Sequence, residues 1–205
     1  MKNAEQALQI LQDGNRRFVA GIRDEDSPHI SDLIKVQDKQ NPFAIILGCS
    51  DSRVPAEIIF DQGMGDLFVI RIAGNIVAPS QLGSIEFAVE QFGTPLVVVL
   101  GHSSCGAVSA TLEDIKNPSP ENSSNVFSIV KRIRPVIENL LQTASDADEQ
   151  AVLEMAIKAN IMASVKQLQT ESPLLQAYIE KKQLLIVGAE YSLNTGVVEF
   201  LSTAN

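Results

Sequence analysis

Two apolar runs constrain this chain most, because each ends in a polar stretch rich in reactive side chains. Phe43-Ala44-Ile45-Ile46-Leu47 leads into Gly48-Cys49-Ser50-Asp51-Ser52-Arg53, and Leu96-Val97-Val98-Val99-Leu100 leads into Gly101-His102-Ser103-Ser104-Cys105-Gly106. Continuous Val, Ile and Leu without alternation is the pattern of parallel strands buried on both faces. Both polar stretches then read as loops at the carboxyl ends of strands, where open α/β sheets hold their ligands. If the two strands are neighbours, Cys49, His102 and Cys105 meet.

The rest of the chain supplies helices between strands. Asn3 to about Val19 is amphipathic, with Gly14 interrupting the pattern, and a polar segment follows with a short helix expected over Ser31 to Asp38. Strands are expected over Phe43 to Gly48, Leu67 to Ile72, Leu96 to Leu100 and Leu184 to Gly188, with GVVEFL at the end adding an edge strand. Helices are expected over Pro55 to Phe60, Ser80 to Phe92 with Gly93 as its stop, Cys105 to Ile115, Val126 to Leu141, Glu149 to Thr170 and Pro173 to Glu180. A Pro/Ser/Asn-rich loop (117–125) and the acidic TASDADE loop separate the later ones. This alternation indicates an α/β fold: a mostly parallel four- to five-stranded central sheet flanked by helices, with an N-terminal helical arm. A single domain is expected over residues 1–205, with arm and loop in 1–41 and the α/β core in 42–205.

Composition narrows the function. A net charge of −9 argues against a nucleic-acid partner, which would need clustered Lys and Arg. No apolar run approaches the roughly 18–20 residues that span a bilayer, and the N-terminal stretch lacks the apolar core of a signal peptide. Only two cysteines exist, and both lie in the two loops, which leaves none for disulfides and suits a cytoplasmic location.

Two thiols and an imidazole are a ligand set for zinc, which takes Cys and His in a tetrahedron. The spacing His102-x-x-Cys105 lets both side chains turn toward one ion, and a fourth position remains for water or for Asp51. If the chain stays extended after the first strand, Cys49, Asp51 and Arg53 share a side. A closed zinc site without chemistry, or two buried free cysteines, would use the same residues.

The CSDSRVP and GHSSCGA segments resemble the two signatures of the β-class carbonic anhydrases. ALQILQDGNRRF, LFVIRIAGN, GSIEFAVEQFG and LLIVGAEYSLNTGVVEFL are similar to that family in the same order, so the resemblance covers essentially the whole chain. It implies a Zn2+ enzyme that reversibly hydrates carbon dioxide to bicarbonate and a proton through zinc-bound hydroxide. Cys49, His102 and Cys105 are the implied ligands. Asp51 either ligates the metal or pairs with Arg53 to orient the nucleophile. Gln40, Phe68, Ala73, Phe87 and Gly106 match positions that line the substrate pocket, and Phe87 replaces the tyrosine of some plant members.

The resemblance also implies a homodimer or homotetramer with the cleft at a dimer interface and the N-terminal arm packed on a neighbouring subunit. Tyr191, Thr195 and Gly196 match a family pattern. A subgroup has a tryptophan where Ile46 stands, forming a bicarbonate pocket with an arginine that Arg71 matches; with Ile46 there, an enzyme without that inhibition is expected. Two thiolates already neutralise a zinc dication, so activity rising toward alkaline pH is expected. His29 reads as solvent-exposed, with a proton shuttle as its other reading. Carbon disulfide or carbonyl sulfide as substrate, and a non-catalytic zinc scaffold, are the other readings of the whole.

Overall fold

The computed structural model describes residues 2–22, 36–118, 124–142 and 148–201. Along them run helix α1 (Ala4–Val19), strand β1 (Ala44–Gly48), short helix α2 (Ala56–Ile59), β2 (Leu67–Arg71), a 3-10 turn (Ala73–Asn75), α3 (Pro79–Phe92), β3 (Leu96–His102), α4 (Gly106–Lys116), α5 (Ser124–Leu141), α6 (Glu149–Glu171), α7 (Pro173–Glu180), β4 (Leu185–Tyr191) and β5 (Val198–Leu201). The strands form one sheet in the order β2-β1-β3-β4-β5. The first four in that order are parallel, and β5 closes the edge antiparallel to β4. The expected α/β architecture is the observed one. His29 and most of the short helix expected over Ser31 to Asp38 lie outside the described residues, as do 119–123 and most of the acidic loop. Among the described residues no helix is long and apolar enough to cross a membrane.

Helices cover the sheet on both faces, which is why its central strands lack alternation. Ile45, Leu47, Val97, Val99 and Ile186 face a core shared with Ile85 of α3, Val108 of α4, Ile133 of α5, and Ile157 and Ile161 of α6. Ile46, Leu96, Val98, Leu100 and Ala189 face the other way, against Ala7 and Leu11 of α1 and Ala56 and Ile59 of α2. β2 has a neighbour on one side only and is half-buried along most of its length.

β3 and β4 run further than the apolar pattern suggests. Gly101 pairs with Glu190 and His102 with Tyr191, so the ladder continues past Leu100 and Gly188. His102 is therefore a strand residue, fixed by sheet hydrogen bonding, and not a loop residue as expected.

α1 starts at a reciprocal cap: Gln6 N–H donates to Asn3 Oδ1 (2.8 Å) and Asn3 N–H to Gln6 Oε1 (3.0 Å). Ala7 and Leu11 are fully buried against this chain's own core. Asn15 ties the helix to two distant segments. Its Nδ2 donates to the carbonyls of Ile59 (3.2 Å) and Gly196 (2.9 Å), and its Oδ1 accepts from Val198 N–H (2.9 Å). Removing a buried partner leaves the other groups unsatisfied at roughly 1–3 kcal/mol. Asn15→Ala is expected to lose about 3 kcal/mol, read as a lower chemical-denaturation midpoint at unchanged slope. An unmoved midpoint would mean that these three groups find other partners.

Candidate metal centre

The strand order reverses at β1: β2 lies on one side and β3 on the other. Open α/β sheets bind ligands outside the carboxyl ends of strands at such a point. Gly48, the last residue of β1, pairs with Leu100, so Cys49 emerges beside the end of β3. His102 ends β3, and Cys105 precedes the first turn of α4. Between them Ser104 adopts a φ of 55°, a left-handed conformation uncommon outside glycine, which reverses the chain. The turn is anchored from β4 and beyond: Ser103 N–H donates to Tyr191 O and Leu193 N–H to Ser103 Oγ, both at 2.9 Å.

This brings the donor atoms of Cys49, His102 and Cys105 within 4.8 Å of one another, all three buried. His102 Nδ1 lies 2.9 Å from Ser103 O, and a carbonyl only accepts, so Nδ1 carries the proton. His102 Nε2 is buried without a hydrogen-bond partner. A hydrogen bond from Cys105 holds the Cys49 thiol down at about 4 against the effect of burial, with His102 and the Gly74 amide assisting. The same bond, together with burial, pushes Cys105 well up. Burial opposes charge on His102, yet the neighbouring Cys49 sulfur raises its basicity above the ordinary imidazole value. One orphaned imidazole nitrogen beside two sulfurs, one of them held readily ionisable, is a donor set that fits a zinc dication, whose binding displaces the remaining protons.

Asp51 stands at the rim. Arg53 Nε donates to its Oδ1 at 2.9 Å and Nη2 to its Oδ2 at 2.8 Å, a two-pronged pair, while Arg53 N–H also donates to Oδ1 at 3.0 Å. These bonds hold the Asp51 carboxyl well below the usual carboxylate range. Asp51 Oδ2 lies 3.8 Å from His102 Nε2. The pair does not arise from an extended segment, as the alternation argument assumes. The chain turns at Ser52 and Arg53, with Val54 N–H donating to Asp51 O at 3.0 Å. Arg71 braces this loop from β2: its Nε donates to Cys49 O at 3.1 Å and its Nη2 to Asp51 O at 2.6 Å. Ile46 is fully buried in β1.

The remaining candidates fall into two groups. Ala73 opens the 3-10 turn beside Gly74, whose N–H donates to Cys49 Sγ at 3.4 Å, and Gly106 opens α4 next to Cys105. Gln40, Phe68 and Phe87 are elsewhere. Gln40 is exposed and precedes β1, at the end of the strand opposite Cys49. Phe68 pairs with Ile45, four residues before Cys49 and so about 13 Å along the strand. Its ring stacks obliquely on Phe87 (6.4 Å) and Phe92 (6.1 Å), and Phe87 is 51% exposed. Family resemblance singles out Arg71, but neither its bracing of the Cys49–Asp51 backbone nor the Gly74 donor is legible in the sequence. The only trace of the latter is the Gly74-Asn75 pair, a turn signal after a strand.

Comparison with known proteins bears on the same residues. A family model described as "Carbonic anhydrase" matches residues 44–198. A carbonic anhydrase of Mycolicibacterium smegmatis is 41% identical over 200 residues, covering 98% of this chain and 94% of the relative. A carbonic anhydrase 2 of Mycobacterium tuberculosis is 40% identical over 195 residues, covering 95% and 91%. Among solved structures, a β-carbonic anhydrase of Aspergillus fumigatus superposes with a TM-score of 0.76 at 26% identity, over 84% of this chain and 81% of that one. One of two tetrameric β-carbonic anhydrases from Sordaria macrospora gives 0.75 at 25%, over 83% and 86%. With a sheet of this order and a Cys–His–Cys cluster at its reversal point, the chain belongs to the β-carbonic anhydrase family.

Proposed function

We propose that Cys49, His102 and Cys105 hold one Zn2+ and that the chain catalyses reversible hydration of carbon dioxide to bicarbonate and a proton. The observation that carries this reading is the Asp51–Arg53 pair set 3.8 Å from the orphaned His102 Nε2. A purely structural metal site has no use for such a pair. Bound there, zinc would supply Lewis-acid chemistry that acidifies a water molecule. Arg53 keeps Asp51 anionic and turned to the rim, so the carboxylate accepts a hydrogen bond from the attacking water and aligns its lone pair on carbon dioxide. The Gly106 N–H is among the unpaired amides in the first turn of α4, and without a side chain it is open to an oxygen that gains negative charge. Ala73 contributes a small apolar wall suited to an apolar substrate.

Arg53→Ala is expected to keep about one zinc per chain and to lose roughly a hundredfold in stopped-flow hydration rate. Releasing Asp51 toward the metal position removes the aligned acceptor without removing a ligand. An unchanged rate in zinc-loaded Arg53→Ala protein would refute the pair's role, and zinc-loaded wild type without turnover would refute the reaction.

Gln40, Phe68 and Phe87 support a homodimer or homotetramer. They lie far from the ligands of their own chain, so they line a pocket only across a boundary between copies. The tetrameric description of the Sordaria structures is consistent with this. A fully active monomer in sedimentation would overturn it.

A further inference from the structure

We infer that Asn160 and Ser164 of α6 are positioning residues for the metal centre: they hold the Ala73–Asn75 turn so that the Gly74 amide donates to Cys49 Sγ. The inference rests on the metal reading of Cys49, His102 and Cys105.

The turn closes with one bond of its own, Asn75 N–H to Ile72 O at 3.1 Å, which leaves the carbonyls of Gly74 and Asn75 to be held from outside. Gly74 has a φ of 70° and Asn75 a φ of 44°, two successive residues in the left-handed region. Glycine adopts it freely, whereas Asn75 is in a conformation that surrounding structure must enforce. Two side chains of α6 do so. Asn160 Nδ2 donates to Gly74 O at 2.8 Å, and Ser164 Oγ donates to Asn75 O at 3.1 Å. Residues four apart share one face of a helix, and here that face is otherwise apolar, with Ile157, Ile161 and Val165 buried around it. Asn160 and Ser164 are themselves buried. Polar groups are costly on such a face unless hydrogen-bonded, and the bonds they make go to the backbone of this turn.

The turn's other product is the Gly74 N–H aimed at Cys49 Sγ, 3.4 Å away. A hydrogen bond to a ligand sulfur withdraws electron density from it and fixes its direction, which leaves more positive charge on the metal. The centre already carries two thiol ligands, so this donor offsets part of their neutralising effect. Two side chains 86 and 89 residues from the turn thereby orient a donor to the ligand through the turn's backbone conformation.

The test uses cobalt(II)-substituted full-length protein and its thiolate-to-cobalt charge-transfer absorption. Wild type, Asn160→Ala, Ser164→Ala and Ser164→Thr are compared, with melting of each metal-free protein measured alongside. Loss of the Gly74 donor raises the sulfur donor level, so the band moves to longer wavelength in both alanine variants. Metal affinity falls roughly tenfold. Ser164→Thr retains the hydroxyl and the wild-type band. A purely structural role would lower the metal-free melting temperature and leave the band in place, and that result in Ser164→Ala overturns the inference even if Asn160→Ala does not fold. A wild-type protein without any thiolate band would instead overturn the metal reading itself.

Discussion

His102→Ala is expected to lose bound zinc and hydration activity together. The imidazole is fully buried, its Nδ1 is spent on Ser103 O, and its Nε2 has no hydrogen-bond partner. That nitrogen has one use in this setting, as a ligand. Without it two sulfurs remain. Two ligands do not make the closed tetrahedron or three-ligand catalytic set that zinc takes. A metal's Lewis-acid contribution is several kcal/mol, and each 1.4 kcal/mol is tenfold, so the rate is expected to drop about a thousandfold. Zinc quantification and stopped-flow hydration on the same sample check it. Full zinc with wild-type turnover would remove His102 from the site. Loss of turnover with zinc retained would make it a catalytic group and not a ligand.

Gly14→Ala is expected to destabilise the fold strongly. A Cβ on Gly14 would lie 1.8 Å from the carbonyl oxygen of Phe60 and 2.8 Å from its carbonyl carbon. The obstacle is backbone at the end of α2, so no side-chain rotation relieves it. Elsewhere in a helix the same change would be stabilising by roughly 0.5–1 kcal/mol. Here α1 must lift from the sheet face it covers, exposing Ala7 and Leu11 and stretching the three bonds of Asn15. Overpacking of this kind costs about 3 kcal/mol, which corresponds to about 6–12 °C of melting temperature in a chain of this size. A melting temperature at or above that of wild type would mean that α1 is not seated on α2 in solution.

These two residues differ in how far they can be read from the chain alone. His102 stands three residues from a cysteine and after an apolar run, so its chemistry is legible from spacing. Gly14 reads there only as a weak helix former. Its meaning is a contact with Phe60, 46 positions away, which no local pattern encodes. The same holds at the ends of β3 and β4. Apolar runs end at Leu100 and Gly188, whereas the ladder ends where pairing ends, at His102 and Tyr191. For Gln40, Phe68 and Phe87, family resemblance assigns a role that their own chain does not bring to the metal ligands.

The sequence by itself determined the buried parallel strands, the helices between them, and the set of side chains able to bind zinc. Those follow from hydrophobic periodicity and from spacings of a few residues. Only the tertiary structure decided that β1 lies beside β3, that Asp51 meets Arg53 across a turn, that Arg71 braces the loop, and that α6 reaches back to the Gly74 amide. Apart from the local Asp51–Arg53 turn, each is a contact between segments remote in the chain, set by packing and by the need of buried polar groups for partners, which local sequence does not record.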